Sequence, residues 1–203
     1  MGLLVIETAT AACSVALLDG DRLLAHAHEV VGRGHAERLV PMIGEVLAAA
    51  GLSSVARVRV DCGPGSFTGI RVGLAAARAL GLAWGAEVGG FGAPALLAAA
   101  GHRGGACAVA IAGGHGELFV QRFAASLVAE GELCSLPPAD AAAMVPEELV
   151  LGSGAEALVA ARGWGEAVAA LPDARDARLL PPALAALLPR PIYGRPPDAV
   201  PPR

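Results

Sequence analysis

The stretch that most restricts how this chain can fold covers residues 57–81, RVRVDCGPGSFTGIRVGLAAARALG. It predicts a short strand, a tight turn at Gly63-Pro64-Gly65 and a long helix. Two glycines can take positive φ while the proline fixes its own, so the turn is rigid. Ser66 or Thr68 supplies the hydroxyl that caps the helix. Inside the helix, Gly69, Gly73, Ala77, Gly81 and Gly85 recur every four residues and line one narrow stripe. Each helical glycine costs about 1 kcal/mol relative to alanine, so several in register need a compensating gain. Close approach of another backbone is that gain. Periodicity leaves open whether the neighbour is the chain's own sheet or a second polypeptide.

A strand, a glycine loop and a helix N-terminus also form a candidate anion site, here Gly63, Gly65, Ser66, Thr68, Gly69 and Arg71, because free amides and the helix dipole favour negative charge. Neither sharp nucleotide motif is present. The spacing Gly63-x-Gly65-x-x-x-Gly69 departs from the dinucleotide fingerprint, and the P-loop needs a lysine, which this chain lacks altogether. The plainer reading is a turn that only joins strand to helix.

The 203 residues suffice for one large domain or two small ones. Aromatics are only 3% against 55% hydrophobic residues, so the core is built from Ala, Val and Leu, with helices packed closely. Isolated Cys13, Cys62, Cys107 and Cys134 read as buried thiols rather than a disulfide framework or zinc site. Net charge is −4 and the arginines are scattered, so RNA, if it is a substrate, is gripped by a partner. No apolar run reaches membrane length and no basic leader opens the chain, which predicts a cytoplasmic protein without a membrane partner.

Apolar patterning predicts strands at residues 3–7, 13–18 and 22–30, with Asp19-Gly20 as a hairpin turn. A helix follows from His35 to Ala50, kinked at Pro41, with Leu39, Met42, Ile43 and Val46 along one face. The glycine-ridged unit, a strand at 87–90 and a helix from Ala93 to Gly101 complete a β-β-β-α-β-α-β-α order. Residues 102–105 form a boundary, dividing the chain into a first lobe (1–103), a smaller second lobe (104–188) and a proline-rich extended tail (189–203). The second lobe reads as strands at 106–112, 117–123 and 127–134, a helix at 137–144, a strand at 149–152, and helices at 155–162 and 179–188.

At this point the residues resemble a known family. Ile6-Glu7-Thr8 with Cys13-Ser14-Val15-Ala16-Leu17, the run from Gly34-His35 to Met42-Ile43, the Gly63 to Gly73 block and the ending Tyr193-Gly194-Arg195-Pro196-Pro197-Asp198-Ala199 resemble the TsaB (YeaZ) family. The resemblance implies an α/β actin-like ATPase (ribonuclease H-like) fold, shared with Hsp70 and sugar kinases, with two lobes and a reduced second lobe. It also implies a non-catalytic subunit in the synthesis of N6-threonylcarbamoyladenosine in tRNA. The subunit dimerises with the TsaD transferase, a TsaE ATPase joins them, and tRNA is met mainly through the complex. On this view the chain binds no cofactor alone, and ATP and metal belong to partner subunits. Whether the chain forms a homodimer without its partner is left open by the sequence. Two departures stand out: Glu7 replaces the family's usual Asp, and Ala112-Gly113-Gly114 replaces an Asp-Ala-Arg stretch.

The residues themselves argue against catalysis. The five histidines, His26, His28, His35, His102 and His115, contain no i, i+4 metal pair. His26 and His28 share a strand face but lack an evident third ligand. No nucleophile stands near His35, which reads as a capping or interface residue. The first hairpin turn, Glu7-Thr8-Ala9-Thr10-Ala11, has no glycine to let its amides approach a phosphate. An ATP-binding phosphotransferase of the same fold is the alternative function. The expected docking surface is the pair of helices, with His35, Arg38, Leu39, Met42, Ile43 and Val46 on one and Ile70, Gly73, Leu74, Ala77 and Arg78 on the other.

Overall fold

A computed structural model of the protein describes residues 2–194. Strands β1 (Leu3–Glu7), β2 (Ala12–Asp19) and β3 (Arg22–Val30) form an antiparallel meander. Helix α1 (His35–Ala49) crosses to β4 (Arg57–Asp61), which pairs parallel with β1. Helix α2 (Phe67–Trp84) leads to β5 (Glu87–Phe91), parallel to β4, and α3 (Ala93–Ala100) follows. The first sheet therefore has the order β3-β2-β1-β4-β5.

The second sheet repeats this plan. β6 (Cys107–Ala112), β7 (Leu118–Phe123) and β8 (Ala129–Leu136) form another meander. Helix α4 (Pro138–Met144), β9 (Leu149–Leu151), α5 (Ala155–Arg162) and β10 (Glu166–Val168) then place two parallel strands on its other side. The order β8-β7-β6-β9-β10 matches the first sheet strand for strand. The final two strands are only three residues each, which is how this half is reduced.

Three apolar layers hold the sheets. One lies between the first sheet and α1 with α2, and joins Leu4, Ile6, Val15 and Leu17 to Leu39, Met42, Ile70 and Leu74. The second lies between the two sheets, where α3 fills the gap and Val5, Ala16 and Leu18 meet Val109, Ile111 and Phe119. The third packs α4 and α5 on the outer side of the second sheet. Alternation along β1 and β2 produces this division, since successive side chains point to opposite faces.

Helix α1 continues through Pro41, which lies on its exposed side, where the unpaired backbone carbonyl one turn earlier can meet water. Three expectations change. Strand β10 was not foreseen, because Glu166–Val168 is too short to show a period. Residues 179–188 are not a helix. They form short 3-10 turns and then a bridge in which Gly90 and Leu187 exchange backbone hydrogen bonds of 2.7 and 2.9 Å. Pro181 and Pro182 remove the donors a helix needs there, and the bridge covers the free edge of β5. Lastly, the segment after this bridge is bound to the first sheet, with Ile192 N donating to Cys62 O at 2.7 Å. The remainder of the tail, residues 195–203, including Arg195 to Ala199 of the ending motif, lies outside the described residues.

Candidate partner-docking site

The Gly63-Pro64-Gly65 turn carries α2 back over the first hairpin turn, and the two are joined by backbone. Ser66 N donates to Ala9 O at 2.6 Å, and Thr8 Oγ1 donates to Gly69 O at 2.8 Å. Ser66 is the cap, its hydroxyl accepting from Gly69 N at 3.2 Å; Thr68 is exposed and plays no such part. A β-carbon on Gly65 would run into the Ala9 carbonyl, one on Gly69 into the Thr8 carbonyl, one on Gly73 into the Thr8 side chain and one on Gly81 into Val88. The glycine stripe thus exists for the chain's own first sheet. Gly63, at φ +101°, donates its amide to Asp61 Oδ1 at 2.6 Å. With the amides of Gly63, Ser66 and Gly69 occupied internally, the candidate anion site keeps few donors, and Arg71 points elsewhere, onto Phe67 and Tyr193.

The hairpin turn is closed from within as well. Glu7 is fully buried, and its Oε1 accepts from the amides of Ala9 at 2.9 Å and Thr10 at 3.3 Å. Those are the amides a phosphate-binding hairpin would turn toward its ligand. In this chain the Glu7 side chain already holds both amides. Buried Asp61 lies beside Glu7. Burial pushes the Glu7 carboxyl well above its ordinary range, and the Asp61 charge adds to this; Asp61 is itself pushed up to about 6, mainly by burial. Among the described residues, Glu7 Oε2 and Asp61 Oδ2 are buried without a hydrogen-bond partner, and a proton held on one of the two neighbouring carboxyls would let it donate to the other.

The helices α1 and α2 lie side by side on the first sheet, but the expected docking residues face inward. Leu39, Met42, Ile43, Val46, Ile70, Leu74 and Ala77 are at most 4% exposed, and Gly73 is buried with them. His35 is also buried, its Nε2 3.0 Å from Ala12 O. These residues form the chain's own core and not an outward docking surface, because the apolar period reports the face that meets the sheet. The outward face is carried by Val40 (66% exposed), Phe67 (55%) and Leu82 (88%), with small Gly44, Ala48, Ala75 and Ala79 exposed among them. Arg38 and Arg78 do reach the surface. Arg38 is gripped by Glu29 and Glu45 through four hydrogen bonds of 2.6–2.9 Å, and both carboxyls are held below their usual range by it. Arg78 donates to Pro189 O at 2.7 Å and fastens the C-terminal segment to α2.

Distant segments also supply what His26 and His28 lacked. Asp173 Oδ1 lies 2.7 Å from His26 Nε2, and Asp173 Oδ2 lies 3.5 Å from His28 Nδ1. A separation of 147 residues kept this partner out of any local pattern. Cys13, Cys62 and Cys107 are buried free thiols as expected, and Cys134 is half-buried. Among the described residues, no helix is long and apolar enough to cross a membrane.

The family model for TsaD, tRNA N6-adenosine threonylcarbamoyltransferase, matches residues 27–161. TsaB of Escherichia coli (strain K12), a tRNA threonylcarbamoyladenosine biosynthesis protein, is 41% identical over 99 residues, which is 48% of this chain and 42% of that protein. The chain thus aligns with less than half the length of that relative. Among solved structures, a Pseudomonas aeruginosa protein described as similar to peptidase YEAZ superposes with a TM-score of 0.78 at 29% identity, covering 96% of this chain and 99% of that one. YeaZ from the same organism gives a TM-score of 0.75 at 31% identity, covering 88% and 89%. The two-lobed architecture of paired mixed sheets is the actin-like fold. With a YeaZ relative at 31% identity matched along most of both proteins, this chain belongs to the TsaB (YeaZ) family.

Proposed function

We propose that this chain is the non-catalytic subunit of a tRNA N6-threonylcarbamoyladenosine machinery, and that it works in the cytoplasm by dimerising with a TsaD-like transferase. The observation that carries the reading is the outward face of α1 and α2, where Val40, Phe67 and Leu82 are exposed beside small residues. Such a face lets a partner's helices approach closely, with apolar side chains at the centre and Arg71 and Arg78 at the rim. A TsaE-like ATPase and tRNA join through the complex, and without the transferase the same face can pair two copies of this chain. The internal Glu7 carboxylate supports a subunit that leaves nucleotide chemistry to its partners, and the phosphotransferase alternative finds no phosphate site to use.

Light scattering coupled to size exclusion tests this on the chain mixed with the TsaD-like protein of the same organism. A species of one chain each is expected, and the purified chain alone should turn over no ATP. Exchanging Val40→Asp and Leu82→Glu together should weaken association by at least about tenfold per position while leaving the circular dichroism unchanged, since central apolar contacts dominate such interfaces. Separate elution of the wild-type proteins, or undiminished pairing of the double variant, would overturn the proposal.

A further inference from the structure

We propose that His26, His28 and Asp173 form a site for one divalent transition-metal ion, Zn²⁺ above all, which clamps the segment after the second sheet onto the first. The two histidines alternate on β3 and project from the face that meets the second lobe, opposite Ala16 and Ser14 on β2. Asp173 arrives from beyond β10 and caps the 3-10 turn Ala174–Leu179. One ligand atom from each of the three lies within 4.8 Å of the others, a spread that an ion with bonds of about 2.0–2.2 Å can draw together.

The donor set selects the ion. Two imidazole nitrogens and one carboxylate oxygen suit Zn²⁺ and its borderline neighbours, whereas Mg²⁺ and Ca²⁺ require oxygen throughout. The surroundings support a ligand role. His28 Nδ1 is buried and, among the described residues, makes no hydrogen bond, so in the tautomer with its proton on Nε2 it is open to a metal. Asp173 is oriented by its neighbours: Oδ1 accepts from Arg175 N at 3.0 Å and Ser14 Oγ at 3.3 Å, and Arg175 Nε lies 3.1 Å from Oδ2. Such outer partners hold a ligating carboxylate in place. Three protein ligands leave a fourth position. A cavity of about 500 Å³ lined by His28, Asp173, Arg175 and Asp176 gives water access to it. Without an ion, the two histidines meet Asp173 only through the 2.7 Å His26 contact and the longer 3.5 Å His28 contact, and the clamp is weaker.

The full chain without an affinity tag, stripped with chelator and dialysed, is titrated with Zn²⁺ by calorimetry, and its melting temperature is followed in parallel. One ion per chain and a zinc-dependent rise in melting temperature are expected. Asp173→Asn should weaken binding by more than the roughly 10- to 100-fold that loss of an outer partner of a ligand costs, and His26→Gln with His28→Gln should abolish it. His102→Gln, at an exposed histidine, should change nothing. Should the double variant fail to fold, Co²⁺ added to the wild-type chain decides the matter: intense tetrahedral ligand-field bands support the site, and an aquo-ion spectrum overturns it. Wild-type protein that takes up no Zn²⁺, or uptake that survives loss of Asp173 and both histidines, also overturns it.

Discussion

Gly73→Leu is expected to destabilise the first lobe rather than to block a partner. The added side chain would start in the Thr8 side chain, with Val60 and Ile6 next in line. It would also force α2 away from the turn, straining the bonds from Thr8 Oγ1 to Gly69 O and from Ser66 N to Ala9 O. Overpacking a filled core costs about 1–3 kcal/mol, and loss of these bonds adds to it, so a destabilisation of about 3 kcal/mol or more is expected. In a chain of this size that lowers Tm by roughly 6–12 °C, read by thermal circular dichroism. Ala75→Leu, one turn-face away and exposed, serves as the control and should melt like the wild type. A Gly73→Leu chain with wild-type stability and impaired partner binding would return the glycine stripe to an interface role.

The Glu7–Asp61 pair leads to the second large effect. Both carboxyls are raised by burial, so the folded chain holds protons more tightly than the unfolded one. Stability from this source is present below about pH 4, where both states are protonated, and falls as pH rises through about 6, where Asp61 ionises in the fold. Glu7→Gln keeps an acceptor for the Ala9 amide and offers Asp61 an N–H in place of the shared proton. The variant should therefore gain stability over the wild type between pH 4 and pH 8, by on the order of 1–3 kcal/mol. Glu7→Ala behaves differently. It strands the amides of Ala9 and Thr10 and opens a cavity, and about 3 kcal/mol or more should be lost at every pH. Urea titrations across this range measure both. Parallel profiles for wild type and Glu7→Gln would mean that the two carboxyls do not share a proton.

The two effects also mark where sequence reading succeeds. The β-β-β-α-β-α-β-α order, the bounds of β3 and the Gly63-Pro64-Gly65 turn were legible because strand alternation, Asp19-Gly20 and the glycine spacing are local signals. The glycine stripe announced a close backbone contact, yet it could not say whose. Hydrophobic period identifies the side of a helix that is buried, and that same logic misassigned Leu39, Met42, Ile43 and Val46 to a partner when the chain's own sheet claims them. Val40 and Leu82, lone apolar residues on the opposite sides, were the available signal for an outward face.

By itself, the sequence determined the first lobe's order of elements, its family and its lack of a P-loop, since each rests on neighbouring residues or a contiguous motif. Only the tertiary structure decided that the second sheet copies the first. Its last strand, Glu166–Val168, is too short to carry a period and exists through its pairing with Leu149–Leu151. Tertiary structure alone also put the Glu7 carboxylate on the hairpin amides, joined it to Asp61, and brought Asp173 to His26 and His28. These depend on which distant segments meet across the sheets, and that is set by the packing of the whole chain.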